Sequence, residues 1–323
     1  MSRGAPRLGS RWSRLLTESR NPRSRRLDTL PTDKVVALLL DEDRRALVAA
    51  ARERRAITRA AGELARALAA GGRVVLLGAG TSGRLAVLEA AECPPTFGTD
   101  PDRIRAVIAG GDGAVFRAVE GAEDRAEDGR REGDRVSGKD VLVGISASSV
   151  TAFVRGALEA ARRHGARTVL VTCAPERALR RLADVVVAMR TGPEVLTGST
   201  RLKAGSATKA ALNAMTTAAM VKLGKAYENL MVDLRQGSAK LQDRARRIVA
   251  AATDVSADEA ELLLQSADGE VKTAIIMGRL GVSAADARRR LATAHGHVRA
   301  ALEPRAPSSP RRQRVSHQGP VTE

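Results

Sequence analysis

The chain has 323 residues, 43% hydrophobic and 28% charged, a balance that permits a sizeable core and excludes global disorder. Aromatic residues make up only 2%, so Ala, Val and Leu must fill that core. The formal charge of +17 raises nucleic acid as a partner, but residues 1–26 supply +7 of it and residues 304–323 supply +3, with almost no aromatics to stack on bases.

Those two basic segments, rich in Ser and Pro, read as solvated disordered arms spanning 1–26 and 304–323. Between them, residues 33–70 carry two helices. Asp33-Lys34 opens the first and Asp41-Glu42-Asp43 the second, which puts acids where the helix dipole favours them. Apolar positions recur at helical spacing through Leu47, Ala50, Ile57, Leu64 and Leu68.

From residue 73 the pattern changes to short apolar runs: Val74–Leu77, Ile104–Ile108, Val141–Ile145, Thr168–Val171 and Val185–Met189. β-Branched runs of that length suit a parallel sheet buried on both faces. The stretches between them, such as Arg84–Glu92 and Phe153–His164, have the length of crossover helices. The expectation is an α/β fold with a doubly wound parallel sheet over about 70–225, forming with its N-terminal helices a domain of 27–235. A long Ala-rich helix, Lys203–Gly224, closes it. Four short helices follow, at Ala239–Ala252, Ser256–Gln265, Val271–Gly278 and Ser283–Ala294. Capping patterns begin at Ser256 and Ser283, and together these helices make a small bundle over 236–303.

The loop Gly78-Ala79-Gly80-Thr81-Ser82-Gly83 follows a strand and opens a helix. It satisfies the dinucleotide pattern G-x-G-x-x-G, yet the acid that should follow the second strand is late, at Asp112. Glycines admit an anion to the backbone, and the Thr81 and Ser82 hydroxyls add donors. By itself the loop fits a sugar phosphate and a dinucleotide equally. A second hydroxyl-rich turn, Ser146-Ala147-Ser148-Ser149-Val150-Thr151, follows the Val141–Ile145 strand. Open α/β sheets place their ligands at such strand ends, so Gly80, Thr81, Ser82, Gly83, Ser146, Ser148 and Thr151 are candidate phosphate ligands. Ser199, Thr200 and Lys203, ahead of the long helix, are further candidate substrate contacts. Cys93, Cys173 and the four histidines show no metal-ligand spacing, and no apolar run reaches the roughly 18–20 residues of a membrane span. No apolar stretch follows the basic N-terminus as in a secretory signal, so a cytoplasmic location is expected.

The stretch LGAGTSGRLAVLEAAECPPT, Leu77 to Thr96, closely resembles the signature of N-acetylmuramic acid 6-phosphate etherases. The resemblance continues in Ala118–Asp124, in Leu196–Gly205 and in Asn229–Asp233. Upstream it takes in Thr17–Asn21 and Leu27-Asp28; downstream, Lys272–Ile275 and Ala287–Leu291. It runs from about residue 16 to 303. It implies a sugar isomerase-type fold, a homodimer with sites near subunit contacts, and a small sugar phosphate as substrate, handled without cofactor or metal. That substrate carries a D-lactyl ether at C3, and the implied reaction is elimination of lactate followed by addition of water.

Such chemistry needs one group to take the C2 proton and another to protonate the departing oxygen. The positions matching the family's functional glutamates are Glu92 and Glu123. Glu92 is the expected acid for lactate departure, fixed where Cys93-Pro94-Pro95 should end its helix. Glu123 is the expected base or water activator. Most glutamates are solvated helix acids, and Glu89, Glu120 and Asp124 are read that way. One departure stands out: the family pattern Ala-Ser-Gly-Arg-Thr-Pro is replaced by Ala147-Ser148-Ser149-Val150-Thr151-Ala152, so a glycine and a cation are missing. Two rival readings share the fold, a non-catalytic sugar-phosphate-binding regulator and a sugar-phosphate isomerase.

Overall fold

A computed structural model describes residues 15–173 and 181–303. The segments 1–14 and 304–323, expected as disordered arms, lie outside the described residues. Residues 15–26 correct the arm expectation. They form short 3-10 turns at Leu16–Glu18 and Pro22–Ser24, with Thr17 and Asn21 buried. A third such turn, Leu27–Thr29, leads into the first helix.

The helices α1 (Thr32–Arg52) and α2 (Arg54–Ala69) differ from expectation in where they divide. The break falls at Glu53, and Asp41-Glu42-Asp43 sits inside α1. Its acids serve tertiary contacts there: Asp41 and Glu42 both pair with Arg23, and Glu42 also holds Lys203. Cationic partners distant in sequence replace the helix dipole as the reason for these acids.

Five parallel strands follow: β1 (Val74–Gly78), β2 (Ile104–Ile108), β3 (Val141–Ile145), β4 (Arg167–Thr172) and β5 (Val185–Ala188). Their order is β2-β1-β3-β4-β5, so the winding reverses between β1 and β3. Every residue of β1 and of β3 is buried. Alternate side chains feed two cores, as period-two geometry demands. Val74 and Leu76 face α1, α2, α3 (Gly80–Phe97) and α6 (Lys203–Lys222). Val75 and Leu77 face α5 (Ala152–Arg163).

Two helices depart from the sequence reading. α3 does not stop before the prolines; it runs through Pro94 and Pro95 and ends at Gly98, whose φ is 61°. Proline dihedrals suit a helix, and the cost is two missing N–H donors rather than a chain break. α4 (Ala126–Asp134) was not legible in the sequence, because its charged stretch buries only Gly129 and Gly133. Those glycines let it lie backbone to backbone on α5: a Cβ on Gly129 would sit 1.9 Å from the Phe153 carbonyl oxygen.

A two-residue hairpin, β6 (Ala226–Tyr227) with β7 (Leu230–Met231), leads into the bundle. The bundle comprises α7 (Ala239–Thr253), α8 (Ala257–Ser266), α9 (Val271–Leu280), α10 (Ala284–Thr293) and α11 (Val298–Leu302). It has its own core around Ile248, Ala274 and Ile275. Ser256 and Glu259 form the reciprocal cap expected from the sequence, and Ser283 caps α10. Asp233 ties bundle to sheet domain. It accepts from Lys225 at 2.8 Å and Lys272 at 2.7 Å, and its backbone oxygen would lie 2.4 Å from a Cβ on Gly98.

Burial holds the Lys272 ammonium below the usual lysine range, and Asp233 opposes that shift. Asp233→Ala strands this cation and should cost about 2 kcal/mol, below the full penalty for a wholly buried pair. Urea unfolding at neutral pH measures it; an unchanged midpoint would show that the ammonium finds water instead.

Candidate functional site

The winding reversal leaves a crevice at the carboxyl ends of β1 and β3, where Gly78 and Ile145 are in register. The first wall is the β1–α3 loop. Gly78 and Gly83 are there for contact: a Cβ on Gly83 would lie 2.5 Å from Ile108 Cγ1 and 2.7 Å from the Gly78 oxygen. Gly80, at φ 53°, has open space around its Cβ direction. No side chain caps α3, so its first-turn amides stay available, with Thr81 and Ser82 half-buried beside them.

The second wall is the β3–α5 loop. Ser146 is buried, and its hydroxyl pairs with that of Thr151 at 2.9 Å. Thr151 occupies the N-cap position of α5 without capping it by side chain. Ser148 Oγ accepts from the Val150 amide at 3.5 Å. Ser149, standing where the resemblance predicts glycine, is buried at φ 64° and donates from Oγ to the Ser148 carbonyl at 2.6 Å. The loop therefore keeps the left-handed conformation even though the residue that adopts it freely is gone.

The third wall is the segment before α6. A Cβ on Gly205 would lie 3.8 Å from Thr81 Cγ2 and 3.7 Å from the Thr200 carbonyl oxygen, so Thr81 and Thr200 border one another across it. Ser199 and Thr200 are half-buried in a turn fastened to the N-terminal segment by the Gly198 amide, which donates to the Thr17 oxygen at 3.1 Å. Lys203 differs from expectation. Its ammonium is buried against Glu42, which also accepts from Asn21 at 3.1 Å and Arg23 at 2.6 Å, so it holds α6 to α1. Burial pushes the Glu42 carboxyl up, but Lys203 and Arg23 outweigh it and hold the group below the usual range.

The start of α6 carries a residue that the sequence did not reveal. Glu194, 1% exposed, accepts from the amides of Lys203 (3.3 Å) and Ala204 (3.0 Å). An internal carboxylate thus fills the anion position of this helix, raised by burial and steadied by those amides and Lys203. A glutamate nine residues before a helix carries no local capping signal.

Glu123 lies in the turn Ala122–Asp124, which packs on α5 through buried Ala122. Arg84 braces the approach to it, donating to the carbonyls of Val115 and Ala114 at 2.7 and 2.8 Å. Although the residue is exposed overall, desolvation raises its carboxyl pKa, helped by the charges of Asp124 and Glu120. A carboxyl shifted this way holds and releases a proton closer to neutrality.

Glu92 is not brought to these walls. It is exposed on α3, twelve residues beyond Gly80, which is about 18 Å along the helix. One turn earlier, Glu89 corrects its reading as a surface acid. It is buried, accepts from Lys209 at 2.8 Å, and receives the Thr216 hydroxyl.

The N-terminal SIS-domain model of glucokinase regulatory protein matches residues 56–162, and a general SIS-domain model matches residues 124–218. The sugar isomerase-type fold expected from the sequence is borne out. N-acetylmuramic acid 6-phosphate etherases of Salmonella choleraesuis (strain SC-B67) and Salmonella typhimurium (strain LT2) are each 47% identical over 293 residues, 90% of this chain and 98% of theirs. A solved structure of a candidate phosphosugar isomerase from Clostridium difficile 630 aligns at 12% identity and TM-score 0.41, over 78% of this chain and 57% of that one.

The strained loop makes a direct test. Ser149→Gly should stabilise the fold by about 0.5–1 kcal/mol, the left-handed penalty less the entropy of an added glycine. A thermal melt reads it; a lowered midpoint would mean that the serine's hydrogen bonds outweigh its backbone strain.

Proposed function

The chain belongs to the N-acetylmuramic acid 6-phosphate etherase family, and we propose on that premise that it cleaves the D-lactyl ether of N-acetylmuramic acid 6-phosphate. The products are N-acetylglucosamine 6-phosphate and D-lactate. One observation carries this reading, the 47% identity that extends over 98% of the relatives' length. On this reading a cell-wall amino sugar is converted in the cytoplasm; no helix among the described residues is long and apolar enough to cross a membrane.

The sugar's phosphate lies against the α3 first turn and the hydroxyls of Thr81, Ser82, Ser146, Ser148 and Thr151, with Ser199 and Thr200 at the rim. The glycine freedom of Gly80 and the close packing at Gly83 support that placement. Ring opening exposes an aldehyde at C1, which acidifies the C2 proton. Glu123 takes that proton, and its raised carboxyl pKa suits the exchange. Electrons move from the C2–H bond into a C2–C3 double bond as the C3–O bond breaks. Glu92 protonates the lactate oxygen as it leaves, and water then adds at C3.

The separation of the two glutamates sets the assembly. A hexose 6-phosphate is far shorter than the roughly 18 Å from Gly80 to Glu92 along α3. Glu92 therefore serves the crevice of a second copy, and the active unit is a homodimer whose sites are each completed by the partner.

The match to a glucokinase regulatory protein domain favours one alternative, sugar-phosphate binding without turnover. Purified protein given N-acetylmuramic acid 6-phosphate decides between them. D-lactate release in ¹⁸O-water, with label at C3 of the sugar and none in lactate, is the expected result. Label in lactate would sink the elimination, and binding without lactate would favour the regulator. Glu92→Gln and Glu123→Gln should each nearly abolish turnover. Mixed in equal parts after reversible dissociation, the two variants should recover about a quarter of wild-type activity, because half the dimers hold one intact composite site. No recovery would place both glutamates in one chain.

A further inference from the structure

A second concave site lies where α1 meets the turn at Pro22–Ser24 and the segment after β5. The cavity measures about 540 Å³, within the range of small-molecule sites. Arg23, Arg44, Arg45, Arg52, Arg190 and Lys203 line it, against a single lining acid, Glu42. Asp41, beside it, pairs with Arg23, Arg44 and Arg45. Glu42 pairs with Arg23, Arg45 and Lys203. Four cations thus share two carboxylates. Arg52 and Arg190 have no acidic partner among the described residues.

Like charges converging from three segments repel one another, and the arrangement is relieved when an anion enters. Guanidinium forks match phosphate oxygens two at a time. No aromatic side chain lines the cavity, so nothing there stacks on a base. β5 stands two strands from β3, about 10 Å across the sheet, and the segment after it, which carries Ser199 and Thr200 at the third wall of the crevice, lines this cavity through Arg190, Thr191 and Pro193.

We propose that this arginine-lined cavity is a second binding site, for a small molecule carrying more than one phosphate charge and no base. The inference is independent of the etherase reading, because its deciding readout is binding of pyrophosphate rather than turnover.

Inorganic pyrophosphate titrated calorimetrically into the full chain, at fixed ionic strength and without substrate, should bind saturably. Arg52→Ala/Arg190→Ala should weaken that binding at least about tenfold while leaving lactate release unchanged. Arg55→Ala/Arg59→Ala, which removes the same charge from exposed positions on α2, should bind as wild type does. Absence of binding to the wild type would overturn the proposal. So would full binding by the first variant, which would put the anion in the crevice, or equal weakening in the second, which would make the effect one of net charge. Citrate bound as tightly as pyrophosphate would overturn the phosphate assignment.

Discussion

Two charges withdrawn from water, Lys203 and Glu42, hold the first residue of α6 against α1. Burying a carboxylate and an ammonium costs several kcal/mol each, which is repaid only when every remaining lone pair and proton finds a partner. Here Glu42 is completed by Asn21 and Arg23, and those residues also fix the N-terminal turns. Asn21 reaches the Pro193 carbonyl at 3.0 Å and Ser24 reaches that of Val195 at 2.7 Å. The segment from Pro193 to Gly198 is therefore clamped between residues 17–24 and the start of α6. Glu194 then seats that helix by its amides. Removing one partner of the ion pair would leave a buried charge at the foot of the crevice's third wall.

The crevice combines two kinds of backbone constraint. On the β1–α3 side, glycines are required because helix and strand touch: Gly78 and Gly83 have no room for a Cβ. On the β3–α5 side, the constraint is conformational, and this chain meets it with Ser149 at φ 64°. Local hydrogen bonds offset part of the strain, since the Ser149 hydroxyl bonds the Ser148 carbonyl and its amide bonds Ser146 at 3.1 Å. Strain retained at a ligand-facing turn is common where geometry matters more than stability.

Long helices separate functions as well as join them. α3 begins at the crevice with an uncapped turn and ends near Asp233, where its Gly98 terminus meets the connection to the bundle. Along the way it places Glu89 against Lys209 of α6 and exposes Glu92 one turn later. A single element thus carries an uncapped first turn at one end and an exposed acid about three turns further on.

Much of the fold was legible in the sequence because its cause is local. The strand cores of β1, β2 and β3, the capped helices α8 and α10, and the long α6 all follow from apolar periodicity and capping residues within a few positions. The glycine and hydroxyl loops were legible for the same reason. The sequence could not show that Asp41 and Glu42 sit inside one helix, since their partners Arg23 and Lys203 lie far away in the chain. Nor did it reveal α4, whose packing depends on two glycines meeting α5 rather than on an apolar stripe. Lys203 looked like a ligand-facing cation and Glu89 like a surface acid. Only the tertiary structure paired and buried them, because the sign and depth of a charge's surroundings are set by elements that share no local signal with it.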